Sequence, residues 1–143
     1  MAALYSTILI PRAVYHEMVN AGKPVPGAAE VQTFPWIQTQ FATNSQAVIA
    51  LQTSQDNIHQ GEAEVIILAL ELNADLLLMD ERLGRALAAN YGLNVTGLLG
   101  VLLQAKRNGL IGFIQPLMDE LIEKADFRVD NQLYLTLLQS AGE

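Results

Sequence analysis

The chain has 143 residues, no cysteine and a formal net charge of −7, and 51% of its residues are hydrophobic. This length fits a single domain over residues 1–143, with enough apolar residues to bury a sizeable core. The absence of cysteine excludes a disulfide framework and thiolate metal sites. The acidic balance argues against passive nucleic-acid binding, which relies on a basic face, so chemistry on nucleic acid would need a bound divalent cation.

The beginning of the chain shows no charged segment followed by a long apolar run, so we expect no signal peptide. The longest apolar stretch, residues 65–70, is too short to span a bilayer. We therefore expect a cytoplasmic protein that does not act at a membrane.

The first half of the chain begins with an apolar, β-branched run at residues 7–10 that stops at Pro11, which predicts a buried strand. Glycines and prolines at residues 22–27 follow the next predicted helix and break the chain. The elements expected in this half are a strand at 7–10, a helix at 12–20, a short strand around 36–37, a helix at 45–53 and a loop at 52–60.

The second half contains an almost wholly apolar helix at residues 62–72, which predicts burial on all sides. Residues 76–79 then read as a buried parallel strand that ends at Asp80. Further along we expect helices at 81–91, 98–108, 116–124 and 131–140, and strands at 93–96 and 112–115. Strands that alternate with helices predict an α/β fold with a parallel sheet and helices on both faces.

Acidic side chains recur at one edge of this predicted sheet. Glu62 begins a helix that descends from the carboxyl edge, and Asp80 ends the strand that climbs back to it. Glu17 follows the first strand by about two helical turns. Three carboxylates that meet repel one another unless a cation neutralises them, and oxygen ligands suit Mg²⁺ or Mn²⁺.

Each of these acids also has an ordinary structural interpretation. Glu17 can simply be a solvated residue of an amphipathic helix. Glu62, like Glu64, is favourably placed by the dipole of the helix that it begins. Asp80 and Glu81 can be the cap and first-turn acid of the next helix, and one residue can serve as both cap and ligand.

Five segments in this order resemble the PIN-like domains of prokaryotic toxin–antitoxin systems. They are IPRAVYHE at 10–17, GEAEVI at 61–66, LLMDERLGR at 77–85, TGLLGVL at 96–102 and AKRNG at 105–109. The resemblance rests on the common order of all five segments. The resemblance implies a three-layer α/β/α fold and a Mg²⁺- or Mn²⁺-dependent ribonuclease.

Position by position, the resemblance implies that Glu17, Glu62 and Asp80 are catalytic metal ligands and that Glu81 occupies a less constant acidic position. It also implies dimerisation and a small antitoxin protein as a partner. The chain departs from the family at its beginning, since the family's first strand carries an Asp and nothing before Glu17 is acidic here. The missing β-α unit would expose sheet edges, which strand exchange with a partner chain or a rearranged sheet could cover.

Two functions are therefore expected from different classes. The first is a metal-dependent endoribonuclease that hydrolyses RNA phosphodiesters at an acidic site. The second is a catalytically inactive PIN-like protein that acts as a binding or assembly module, because the first acid is absent.

Overall fold

The computed structural model describes residues 4–54 and 58–143. Short strands alternate with helices over the described residues. Their order is β1 Ile8–Pro11, α1 Arg12–Val19, α2 Ala28–Thr33, β2 Ile37–Gln40, α3 Ser45–Ser54, α4 Gln60–Leu72, β3 Leu77–Leu78, α5 Arg82–Asn90, β4 Val95–Thr96, α6 Leu98–Arg107, α7 Gln115–Lys124 and α8 Asn131–Ser140. The predicted α/β class is confirmed.

The chain divides into two compact units, Met1–Val95 and Thr96–Glu143. The first unit contains the larger hydrophobic core, and the second is built on α6, α7 and α8. This division does not test the prediction of a single domain, which stays a prediction.

Two short sheets take the place of the single sheet that the sequence predicts. β1 and β2 pair in parallel, with Ile8 opposite Ile37 and Ile10 opposite Thr39, while β3 pairs with β4 in a separate two-stranded sheet. Among the described residues no ladder joins β1 to β3. Strand direction alone therefore does not bring the ends of β1 and β3 to a common sheet edge, and helix packing has to position the acids.

The helix α4 is the centre of the first unit. Its expected burial is confirmed for most of residues 61–69, whereas its last residue, Leu72, is 43% exposed. It packs against β1, β3, α1, α3 and α5. Ala63 and Ile66 are fully buried, and Leu68 and Ala69 are nearly so. Burying each of the larger side chains stabilises the folded state by about 1.5–3 kcal/mol. The packing of α4 against its neighbours therefore contributes much of the stability of the first unit.

The strand predicted at residues 112–115 is wrong. Ile114 instead precedes α7, and the backbone N–H groups of Ile114 and Gln115 donate to the two carboxylate oxygens of Glu143, at 2.9 and 3.2 Å. Lys106 Nζ lies 2.8 Å from the same carboxylate. A side chain far along the chain therefore takes the donors that a strand would have used.

Two other segments of the first unit differ from expectation. Residues 28–33 form α2, where the sequence predicts no helix, and Gly27 precedes it with a left-handed φ of 86°. The loop expected at residues 52–60 is shorter at both ends, because α3 continues to Ser54 and α4 begins at Gln60. Its middle, residues 55–57, lies outside the described residues.

No helix in the described ranges, 4–54 and 58–143, is long and apolar enough to cross a membrane.

Candidate active site

Glu17 lies against the first turn of α4. Gly61 has no side chain, and a Cβ built there would lie 3.0 Å from Glu17 Oε1 and 3.5 Å from Val14 Cγ2. Val14 and Glu17 are three residues apart and share one face of α1. The glycine thus lets α1 approach α4 and leaves the exposed carboxylate of Glu17 over the helix start.

Glu62 acts as part of the helix cap. Its Oε2 accepts a hydrogen bond of 3.0 Å from the backbone N–H of His59, which immediately precedes α4. The carboxylate therefore satisfies a donor that a helix start leaves unpaired, and the helix dipole favours its charge there. Glu62 is half-buried. It has the helix-start position that its structural interpretation predicts.

Glu64 is distinguished from the other acids by its burial. It is 8% exposed, the one charged or polar side chain among the buried residues that the structure describes. None of its oxygens forms a hydrogen bond or ion pair within residues 4–54 and 58–143. No buried side-chain oxygen or nitrogen of the described residues lacks a partner, so the carboxylate oxygens of Glu64 keep contact with solvent. Its stem is buried in the core and its charged end reaches the surface.

Helix spacing relates Glu64 to Gly61, the residue that Glu17 lies against. Glu64 follows Gly61 by three residues, which places their Cβ positions about 5–6 Å apart on one helix face. Helical side chains lean toward the N-terminus, so Glu64 leans toward the turn that Glu17 covers. Glu64 therefore shares the face of α4 over whose first turn Glu17 lies.

Glu64 differs from Glu71, the carboxylate near the other end of α4, in its hydrogen bonding. Glu71 Oε1 and Oε2 accept from the backbone N–H groups of Asn44 and Thr43 at 2.9 and 3.0 Å. These backbone hydrogen bonds, from Asn44 first and then Thr43, lower the pKa of Glu71. Glu71 therefore accepts from donors of the protein, whereas the Glu64 oxygens accept from none of the described residues and remain available to a cation.

Asp80 and Glu81 follow β3. Both are exposed, and Glu81 is the residue before α5, where its Oε1 accepts from the Leu83 N–H at 3.4 Å. The cap that the sequence allowed for this pair is therefore formed by Glu81. Gly84 lies in the first turn of α5, and Met79 Sδ occupies the space that a Cβ at residue 84 would need.

The predicted ligands do not form a compact metal cluster by themselves. Among residues 4–54 and 58–143, no group of three or more His, Asp or Glu side chains lies close enough to hold a metal ion. The structure brings Glu17 to the start of α4, where Glu62 also lies. Asp80 and Glu81 lie at the end of β3, an element that itself packs on α4.

A family model described as DUF3368, a PIN domain, matches residues 1–143. The chain belongs to the PIN domain family. Neither the comparison with curated proteins nor that with solved structures found a match. The predicted PIN-like α/β fold is thereby confirmed, and membership supports a nuclease-type function in general. PIN domains generally depend on divalent metals.

The sequence interpretation of this PIN domain passed over Glu64. Within the segment GEAE, Glu62 and Glu64 look alike, and both are suited to a helix start. A signal was nevertheless present, because Glu64 stands among Ala63, Val65 and Ile66 in a helix expected to be buried all round. A charged residue at a core position of such a helix needs a reason, and a metal site is one.

Proposed function

We propose that this PIN domain is a Mg²⁺- or Mn²⁺-dependent endoribonuclease of the toxin type, acting in the cytoplasm on RNA phosphodiesters. The observation that carries the proposal is the carboxylate of Glu64, which has a buried stem and no hydrogen-bond donor in the described residues, and which follows by three residues the glycine that Glu17 lies against. The carboxylate oxygens reach solvent and accept no hydrogen bond from the described residues, so their lone pairs are available to a cation. Hard carboxylate oxygens fit Mg²⁺ or Mn²⁺.

When bound, the divalent ion supplies an activated water and neutralises charge on the phosphate. The protein's own part is to hold the carboxylates in place. Packing of α4 in the core fixes Glu64, and the glycine at position 61 admits Glu17. Because the stem of Glu64 is buried, its carboxylate has little conformational freedom to lose when it binds.

Asp80 complements this pair in the proposed site. Residues 64–72 rise about 12 Å along α4, and the extended residues 76–80 return about 13 Å. The end of β3 is therefore expected near the level of Glu64. Asp80 is proposed as a further ligand, with Glu81 as an adjacent acid. Glu62 contributes negative charge at the same helix start while it caps α4.

An RNA-cleavage assay with purified protein and Mn²⁺ tests this function. We expect the wild type to cleave RNA. The cleavage rate should fall at least about tenfold in Glu64→Gln and in Asp80→Asn, since each substitution removes a charged ligand. Glu62→Gln keeps an oxygen for the His59 N–H and should retain more activity than Glu64→Gln. Glu123→Gln changes the same charge in α7 and serves as the control, with activity equal to that of the wild type.

The absence of a three-ligand group in the described residues favours a second candidate, an inactive PIN-like protein that serves as a binding or assembly module. In that case an antitoxin protein or a second copy of the chain, with strand exchange, is the partner to be sought. No cleavage by the wild type, together with no Mn²⁺ binding in calorimetry, would favour this module. Cleavage that survives both Glu64→Gln and Asp80→Asn would remove the catalytic assignment.

A further inference from the structure

A polar cavity of about 490 Å³ opens on the side of α1 that faces away from the acids. Its lining residues come from α1, α2 and β2 and are Arg12, Tyr15, His16, Val31, Gln32 and Thr39. The cavity lies at the carboxyl end of the parallel pair β1–β2, because Thr39 is opposite Ile10 and Arg12 follows the last residue of β1. Ligands of α/β proteins bind at such strand ends.

The helix α1 thus has two functional faces. Arg12, Tyr15 and His16 follow the spacing i, i+3, i+4 and face the cavity, while Val14 and Glu17 face α4. Arg12 and Glu17 are about 7.5 Å apart along the helix axis. A ligand that extends around α1 can therefore contact the cavity and the acids together.

The guanidinium group of Arg12 is oriented by the protein but not neutralised by it. Its Nε donates to His16 Nε2 at 3.3 Å, and the Asn20 amide lies 2.8 Å from His16 Nδ1. Within the described ranges Arg12 forms no ion pair with a carboxylate. The hydrogen bond through Nε leaves the two terminal nitrogens for an anion, and a guanidinium presents them in the geometry that phosphate prefers.

The other lining groups suit a nucleoside rather than a bare anion. The ring of Tyr15 packs edge-on against His16, with ring centroids 5.9 Å apart. Gln32 Nε2 is bonded to the carbonyl of Ala28, which leaves its Oε1 as an acceptor. Neither the Tyr15 nor the Thr39 hydroxyl has a hydrogen-bond partner in residues 4–54 and 58–143. An aromatic face with polar groups beside it is typical of single-stranded RNA recognition.

We propose that this cavity binds one nucleotide of single-stranded RNA, with Arg12 on the phosphate, Tyr15 against the base, and Gln32 and Thr39 as hydrogen-bonding groups. The proposal rests on the proposed function for its choice of RNA. It also explains how a chain with a net charge of −7 can bind RNA. The guanidinium group of Arg12 lies in the cavity, on the other side of α1 from the acids.

The test measures binding of a fluorescent single-stranded RNA octamer to the full chain by anisotropy, with Ca²⁺ in place of Mn²⁺ and at several salt concentrations. Arg12→Gln is expected to weaken binding at least about tenfold and to reduce the salt slope by about 0.7. Tyr15→Leu should weaken binding about fivefold or more without changing the slope. Arg107→Gln removes an exposed cation at the end of α6 and should bind as the wild type does.

The outcomes separate this inference from the proposed function. Binding that depends on Arg12 and Tyr15 but not on Arg107 supports the cavity, even if Mn²⁺-dependent cleavage is absent and the nuclease function fails. Equal losses in Arg12→Gln and Arg107→Gln would indicate general charge attraction and overturn it. Wild-type binding by both cavity variants, with folding verified by circular dichroism, would also overturn it.

Discussion

Glu17 Oε1 lies 3.0 Å from the point where a Cβ of residue 61 would be. The two residues are distant in the chain, and the absence of a side chain at residue 61 leaves room for the carboxylate of Glu17. This relationship connects α1 with the start of α4, where Glu64 presents the second carboxylate of the proposed site.

Gly61→Ala should therefore impair activity without unfolding the protein. The added methyl group meets the flexible end of Glu17, and alanine favours a helix over glycine by about 1 kcal/mol. We expect a lower kcat/KM in the Mn²⁺ cleavage assay and an unchanged or higher Tm. Gly112→Ala, at a position with no heavy atom within 4 Å, is the control and should match the wild type in both measurements.

The effect of Gly61→Ala should disappear when Glu17 is already shortened. In a Glu17→Ala background, Gly61→Ala is expected to cause no further loss of kcat/KM, because the two changes act through one carboxylate. Additive losses would show that Gly61→Ala acts by another route.

Gly84→Ala should destabilise the first unit. A Cβ at Gly84 would overlap Met79 Sδ, and would also lie 3.4 Å from Met79 Cε. The side chain of Met79 is buried, so it has little room to move. We expect the free energy of unfolding to fall by about 1–2 kcal/mol in urea titrations, with overpacking exceeding the gain in helix propensity. An unchanged midpoint would contradict the packing of Met79 on α5.

The stabilisation by Glu71 should depend on pH. Backbone hydrogen bonds from Asn44 and Thr43 lower the pKa of Glu71 below its ordinary value of 4.5. A carboxyl whose pKa is lower in the folded state stabilises it fully above the unfolded pKa, and the contribution is lost as pH falls through the folded pKa. The stability difference between the wild type and Glu71→Gln should therefore be constant near neutral pH and shrink below about pH 4.5. A difference that grows on acidification would contradict the assignment.

Glu143 should stabilise the start of α7. Burial raises the pKa of its carboxyl, but hydrogen bonds from Ile114, Lys106 and Gln115 outweigh it and lower the pKa overall. Its side chain is only 7% exposed. Glu143→Ala should speed amide hydrogen exchange at residues 114 and 115, because their donors lose an acceptor, and Glu143→Gln should restore part of the protection. Equal exchange in all three proteins would contradict this role.

Residue patterns predicted the helices better than the strands. α6 and α8 match their predicted bounds closely, because apolar periodicity and end signals are properties of the local sequence. The error at residues 112–115 has a distant cause, since Glu143 takes the Ile114 and Gln115 donors. α2 was missed because six residues, Ala28–Thr33, are too few to show a period.

The same distinction applies to the site. The sequence placed an acid at the start of α4 and another at the end of β3, which follows from element order. It could not distinguish Glu62, which caps the helix through the His59 N–H, from Glu64, which is buried without a donor in the described residues. That difference arises from the packing of α4 against its neighbours.

Mn²⁺ binding by isothermal titration calorimetry tests the central claim most directly, because it needs neither the natural RNA nor turnover. The wild type and Glu123→Gln are expected to bind Mn²⁺ with equal affinity. Glu64→Gln should bind at least about tenfold more weakly while keeping the wild-type Tm, since the neutral amide fits the same buried space. Undiminished Mn²⁺ affinity in Glu64→Gln would contradict the account.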